Sequence, residues 1–261
     1  MDLDLSGKRA VVCGSTQGIG KAIAMELALQ GAAVTLLARN EERLKAVLKE
    51  LPGAAGQDHD YRVADFAFPK KVKSVINDYT AENAVHILVN NTGGPPGGRA
   101  IDADPDAFAQ AYTQHLICNQ VLAQACVEGM KRSGYGRIIN VISTSVKVPI
   151  RGLGVSNTVR GAVASWAKTL ASELGPYGIT VNNLLPGAFE TGRMRDLLKT
   201  RASESGRTEQ EVLDAMIREI PVGRIGDTRE IAAAAAFLAS PAAAYINGVN
   251  LPVDGGRTPT L

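Results

Sequence analysis

The 261-residue sequence is poor in the residue types that anchor many other folds and chemistries. It holds three cysteines, three histidines, one tryptophan and only 5% aromatic residues. Three cysteines cannot all pair, and Cys13, Cys118 and Cys126 match no zinc spacing, so neither a disulfide framework nor a structural zinc is expected. A reducing cytoplasm is the expected setting. No stretch of about 18 apolar residues occurs, which excludes a spanning helix. The start, Met1-Asp-Leu-Asp-Leu-Ser, is acidic and has no apolar run after a basic one, so no secretory signal is read there. Charge of one sign is also missing: 28 Lys+Arg face 26 Asp+Glu, a net +2, whereas nucleic-acid binding leaves a basic footprint. A serine-hydrolase elbow, Gly-x-Ser-x-Gly, is absent too. Asp58-His59-Asp60 is the candidate metal cluster. Neighbours along a strand point to opposite faces, so it reads as a solvated loop and no metal site is expected.

What the chain does have is 45% hydrophobic residues in an alternating order. Short apolar runs at 8–13, 32–38, 85–90, 137–142 and 179–185 read as buried strands, with weaker ones near 60–64 and 248–253. Helical patterns lie near 19–30, 40–50, 69–80, 105–131, 156–174 and 228–239. Strands separated by helices imply parallel crossovers, so an α/β doubly wound parallel sheet of Rossmann type is expected, with about seven strands and helices on both faces. Near-continuous apolar strands suit a sheet covered on both sides. No linker divides residues 1–261, which read as one dinucleotide-binding domain. Charged helices at about 188–221 break the βα rhythm where a substrate lid would sit. Gly93-Gly-Pro-Pro-Gly-Gly98 is expected to be neither helix nor ladder.

Gly14-Ser15-Thr16-Gln17-Gly18-Ile19-Gly20 follows the first strand and opens the first helix. A diphosphate docks at such a helix start, where free N–H groups and the dipole favour negative charge. Glycines let the backbone turn sharply and come close to the ligand. The spacing is Gly-x-x-x-Gly-x-Gly rather than Gly-x-Gly-x-x-Gly. About 20 residues on, where an acidic residue marks NAD, the second strand ends in Ala38-Arg39-Asn40. A guanidinium there suits a 2′-phosphate, which favours NADP(H) over NAD(H); a plain surface arginine opening the next helix is the other reading.

With these motifs in order, the sequence resembles the short-chain dehydrogenase/reductases from about Leu5 to Gly256, and within them the 3-oxoacyl-acyl-carrier-protein reductase type. Asn90-Asn91-Thr92-Gly93 follows the fourth strand, with Thr92 where the family usually has Ala. The resemblance implies an adenine contact at Asp65-Phe66, and nicotinamide-side contacts at Pro186-Gly187, Phe189 and Thr191. The ending Ile246-Asn-Gly248 through Asp254-Gly-Gly256 is also similar. It further implies a small-molecule or acyl-thioester substrate and a homotetramer or dimer packed through the helices near 105–131 and 156–174.

The implied catalytic set departs from the family. The catalytic serine falls on Ser143, but the tyrosine falls on Ser156, the lysine on Arg160 and the helix asparagine on His115. A serine hydroxyl is a poor acid, and an arginine holds its protons too firmly to relay them, though Arg160 can still bond the nicotinamide ribose. Two readings of His115 stand: a donor titrating near neutrality, or a packed helix histidine. Two readings of function follow. One is an NADP(H)-dependent oxidoreductase that interconverts a carbonyl and a secondary alcohol by hydride transfer with a non-standard proton path. The other is a cofactor-binding relative without dehydrogenase activity, a sensor or assembly partner.

Overall fold

The computed structural model describes residues 1–53 and 57–260. Seven strands form one parallel sheet: β1 (Arg9–Cys13), β2 (Ala33–Ala38), β3 (Asp60–Val63), β4 (Ile87–Asn90), β5 (Gly136–Val141), β6 (Ile179–Pro186) and β7 (Asn250–Val253). Their spatial order is β3-β2-β1-β4-β5-β6-β7, so the order reverses between β1 and β4. In such sheets, ligands bind beyond the carboxyl ends of the strands at that reversal.

Side-chain alternation sorts the helices into two layers. Ala10 and Val12 of β1 enter one core with α1 (Gly18–Leu29), α2 (Glu41–Glu50) and α9 (Thr228–Ala239). Val11 and Cys13 enter the other with α3 (Pro69–Glu82), α5 (Cys118–Ser133) and α6 (Gly154–Leu174). This period of two along each strand makes buried parallel strands apolar throughout. Ala167 and Ala171 of α6 belong to the second core, so these small residues pack against their own chain. Burial raises the three thiols, Cys118 and Cys126 to about 12, which makes them packing residues rather than nucleophiles.

Three expectations are corrected. The helix expected over 105–131 is α4 (Pro105–Tyr112), a π turn at Thr113–Ile117, and α5. An inserted residue of that kind leaves the hydrophobic pattern nearly unchanged, and such turns gather at functional sites. The glycine-rich segment does make one parallel bridge, Gly98 to Leu153: Gly98 N–H donates to Gly152 O at 2.7 Å and Gly154 N–H to Gly98 O at 3.0 Å. His59 is no solvated loop residue. Its Nδ1 accepts from Val34 N–H at 3.0 Å and its Nε2 lies 3.0 Å from Pro52 O. His86 Nδ1 likewise accepts from Arg9 N–H at 3.0 Å, so both histidines tie loops to strands. Among the described residues no group of three metal-ligating side chains forms, and no helix is long and apolar enough to cross a membrane.

The sheet also carries a polar cross-link that the sequence reading missed. Asn90 donates to Asn140 at 2.8 Å, Asn140 to Asn183 at 2.9 Å and Asn183 to Asn250 at 2.8 Å, across four strands in register. Buried amides need partners, and here each supplies the next. The available signal was an asparagine at a matching depth in four otherwise apolar strands.

Candidate active site

The glycine turn is built so that no side chain fits inside it. Gly14 has φ 58°, and a Cβ there would sit 2.6 Å from Asn91 O. A Cβ on Gly20 would lie 2.3 Å from Gly14 O and 2.6 Å from the Asn91 amide nitrogen. That nitrogen donates to Cys13 O and Gly14 O at 3.3 and 3.4 Å, so Asn91 braces the turn. Gln17 opens α1 with no side-chain bond to the helix amides, its Oε1 accepting instead from Arg43 at 3.3 Å, and no acidic residue sits in the first helical turn. The helix therefore presents its positive end unscreened, as an anion site requires. Ser15 Oγ is buried at the same turn and has no partner among the described residues.

The other motifs converge around this turn. A Cβ on Gly18 would touch the Thr191 methyl at 3.2 Å, so the start of α7 (Gly192–Ser205) meets the start of α1 across the crevice. Thr191 also caps α7, accepting from Met194 N–H at 3.2 Å. Gly187 lies against Asp254, joining Pro186-Gly187 to the C-terminal motif. Phe189 is buried and bridges to Gly226. A Cβ on Gly93 would meet nothing, which leaves room at the end of β4. Arg39 is exposed just past β2, where Asn40 caps α2. Asp65 follows β3 and caps its own turn onto Ala67 N–H at 2.9 Å, while Phe66 is buried. Thr16 and Ile19 lie within the turn and the first turn of α1. This cradle has the close-packed backbone and unscreened helix start that a dinucleotide site requires.

At the inner end, Ser143 follows β5 and accepts from Ser145 N–H at 3.1 Å, capping a single turn at Thr144–Val146. Ser156 and Arg160 stand one turn apart on α6, and both are buried. Arg160 donates to Val141 O at 3.2 Å. His115, in the π turn, is buried at 1% exposure, with Nδ1 2.5 Å from Thr92 Oγ1 and Nε2 unpartnered among the described residues. Arg193, second residue of α7, donates to Gly94 O at 3.1 Å and Pro95 O at 3.4 Å.

Electrostatics correct one expectation here. Burial, then the Arg160 and Arg193 charges, push the His115 imidazole down to about 3, so it does not titrate near neutrality. At pH 7 it is neutral and offers one N–H and one lone pair. Burial and Arg193 lower Arg160 to about 10, which leaves it charged at neutral pH. Sequence reasoning also missed the pairing of Thr92 with His115 and the reach of Arg193 to the glycine-rich loop. Both are contacts between segments far apart in the chain. A cavity of about 220 Å³ between α3 and α5, lined by Asn83, Val85 and Gly129, opens near the amino end of β4 and takes no part in this site.

Comparison with known proteins decides the family. A family model described as enoyl-(acyl-carrier-protein) reductase matches residues 14–258. The 3-oxoacyl-(acyl-carrier-protein) reductase FabG of Vibrio cholerae is 36% identical over 255 residues, covering 97% of this chain and 98% of that protein. The chain is a short-chain dehydrogenase/reductase. Among solved structures, the L-sorbose reductase of Gluconobacter frateurii, complexed with NADPH and L-sorbose, superposes with a TM-score of 0.93 at 31% identity over all of both chains. A gluconate 5-dehydrogenase from Burkholderia cenocepacia, in complex with NADP and tartrate, gives 0.87 at 32% identity over 100% of this chain and 98% of that one. These family members bear the names of different substrates, so membership fixes the fold and the class of chemistry and leaves the substrate open.

Proposed function

We propose that this family member is an NADP(H)-dependent oxidoreductase that interconverts a carbonyl and a secondary alcohol. The observation that carries the reading is the glycine turn, whose close-packed backbone and uncapped helix start leave a shape and charge suited to a diphosphate. NADP(H) supplies the hydride when bound; the chain supplies position, dryness and hydrogen bonds. Gly14 through Gly20 hold the diphosphate, Arg39 holds the 2′-phosphate, and Pro186, Gly187, Phe189 and Thr191 flank the nicotinamide side. Asp65 and Phe66 border the adenine, and Asn91 and Gly93 shape the crevice floor. The helical pair α7 and α8 (Glu209–Arg218), packed on its own apolar cluster of Leu198, Ala202, Val212 and Met216, serves as the substrate lid.

In this reading Ser156 and Arg160 stand where the family has its tyrosine and lysine, and the proton path is correspondingly non-standard. The Ser143 hydroxyl keeps its hydrogen free to donate to the substrate oxygen, because its lone pair takes Ser145 N–H. Arg160 orients the ribose and holds positive charge without releasing protons. Neutral His115 contributes a hydrogen bond, and the substrate proton exchanges with solvent through the Ser143 and Ser156 hydroxyls. Neither His115, near 3, nor Arg160, near 10, changes charge between pH 5 and 8. The rate is therefore expected to be flat across that range in steady-state assays. A bell centred near pH 7 would assign the proton to a group outside this set.

The function is tested by following NADPH oxidation with a panel of neutral ketones, oxo acids and oxoacyl thioesters, alongside calorimetric binding of NADPH. Turnover of any of them supports the oxidoreductase. Bound NADPH with no turnover across the panel points instead to a cofactor-binding protein without dehydrogenase activity. Arg39→Ala is expected to weaken NADPH binding about 10- to 100-fold, the range for a lost charge-assisted hydrogen bond, while leaving NADH within about two-fold. Equal losses for both nucleotides would move the 2′-phosphate away from Arg39.

A further inference from the structure

Arg62, Arg99, Arg224, Arg229 and Arg257 each meet a carboxylate at partly or largely exposed positions, where pairing matters least. Arg160 and Arg193, at the inner end of the crevice, form no ion pair among the described residues. Arg160 is buried with a single carbonyl partner, Val141 O, whereas Arg137, which is also buried and meets no carboxylate, is held by Gly136 O, Gly178 O, Ser240 O and the Tyr135 ring; Arg193 is exposed at the crevice and rests on two carbonyls, Gly94 O and Pro95 O. The charges acting on His115 are these two cations. A guanidinium out of water needs an anion or several acceptors to offset its lost hydration, and Arg160 has one carbonyl for its five donors. His115 Nε2 adds a buried polar atom without a partner beside them.

We infer that the missing anion arrives with the substrate, and that Arg193, backed by Arg160, binds a carboxylate one or two carbons from the reacting carbon. The inference rests on the oxidoreductase reading above and narrows its substrate class to oxo acids and their hydroxy-acid partners. The cofactor phosphates do not meet the need. They belong at the start of α1, after β1, and β4 separates β1 from β5, whose last residue is the Val141 that Arg160 touches. Two strand spacings put roughly 10 Å between the two places. An oxoacyl thioester does not meet it either, since it carries no charge next to its keto carbon. A carboxylate does, because a guanidinium presents a planar fork of donors that matches its two oxygens. Arg193 also sits at the start of the lid and against the glycine-rich loop. An arriving carboxylate would replace carbonyl partners with a charged one and draw those two segments together.

The test is calorimetric titration of the NADP⁺-loaded protein with 2-oxopentanoate and 3-oxobutanoate, which do not react with the oxidised cofactor, and with the neutral 2-pentanone. At least one oxo acid is expected to bind about 10-fold or more tightly than 2-pentanone, and to weaken as salt rises from 50 to 500 mM. Arg193→Met is expected to cost about 10- to 100-fold in oxo-acid affinity, Arg193→Lys to restore part of it, and both to retain wild-type NADP⁺ affinity. Oxo acids that bind no better than 2-pentanone overturn the inference. So does an Arg193→Met protein that binds NADP⁺ and the oxo acids as the wild type does. In either case, turnover of neutral ketones or thioesters would leave the oxidoreductase assignment standing. Loss of NADP⁺ binding by the wild type would instead remove that assignment and this inference together.

Discussion

Gly20→Ala is expected to lower NADPH affinity by more than about 100-fold and to destabilise the fold by about 1–3 kcal/mol, the usual cost of overpacking. The added methyl would sit 2.3 Å from Gly14 O and 2.6 Å from the Asn91 amide nitrogen. One neighbour is backbone, and the other is fixed by its own bonds to Cys13 O and Gly14 O. Neither can swing away as a flexible side-chain tip would, so the turn must open. Opening it moves the first-turn amides of α1 away from the positions a diphosphate needs. Calorimetry with NADPH and thermal unfolding give the two readouts. For a chain of this size, each kcal/mol shifts the melting temperature by about 2–4 °C. Gly93→Ala is the control, since a Cβ there touches nothing and the melting temperature should hold. If Gly20→Ala binds NADPH normally, the nucleotide does not lie on this turn.

The second large effect is a gain. Ser156→Tyr combined with Arg160→Lys is expected to raise kcat by about 10²–10⁴, the range supplied by a positioned acid or base. Positions 156 and 160 are one turn apart on α6, and Arg160 already reaches Val141 O at the end of β5, two residues before Ser143. A phenol at 156 would thus share a site with Ser143, and a lysine at 160 would lower its pKa. The pH profile should change with the rate, from flat to one with an alkaline-side dependence as the tyrosine titrates. Measurement of kcat from pH 5 to 10 for wild type and the double variant separates the cases. A folded double variant with unchanged kcat and a flat profile would show that residues 156 and 160 do not face the reacting carbonyl.

The protonation of His115 shows how the fold, rather than the residue type, sets the chemistry of the inner site. By residue type alone, His115 is a group that titrates near neutrality. Enclosed between α6 and the end of β4, it loses hydration and feels two guanidiniums, which together hold it neutral down to about pH 3. Its protonation is a property of the surroundings, and none of those surroundings is near it in sequence. Thr92 and Arg193 are similar cases. Thr92 stands out in sequence as the residue where the family usually has Ala, and Arg193 as a charge in the expected lid, but their contacts arise only where β4, the π turn and α7 meet.

By itself, the sequence determined the architecture: apolar strands spaced by amphipathic helices admit little other than a doubly wound parallel sheet, because local hydrophobic periodicity is set by the residues themselves. It also placed the glycine turn after a strand and before a helix, and Arg39 just past the second strand. Only the tertiary structure decided the π turn at Thr113–Ile117, the four-asparagine cross-link, the neutral state of His115 and the pair of arginines lacking an anion. These depend on distances between remote segments and on how much water remains between them. Hydration and Coulomb energy are set by that three-dimensional proximity, which no short-range pattern encodes.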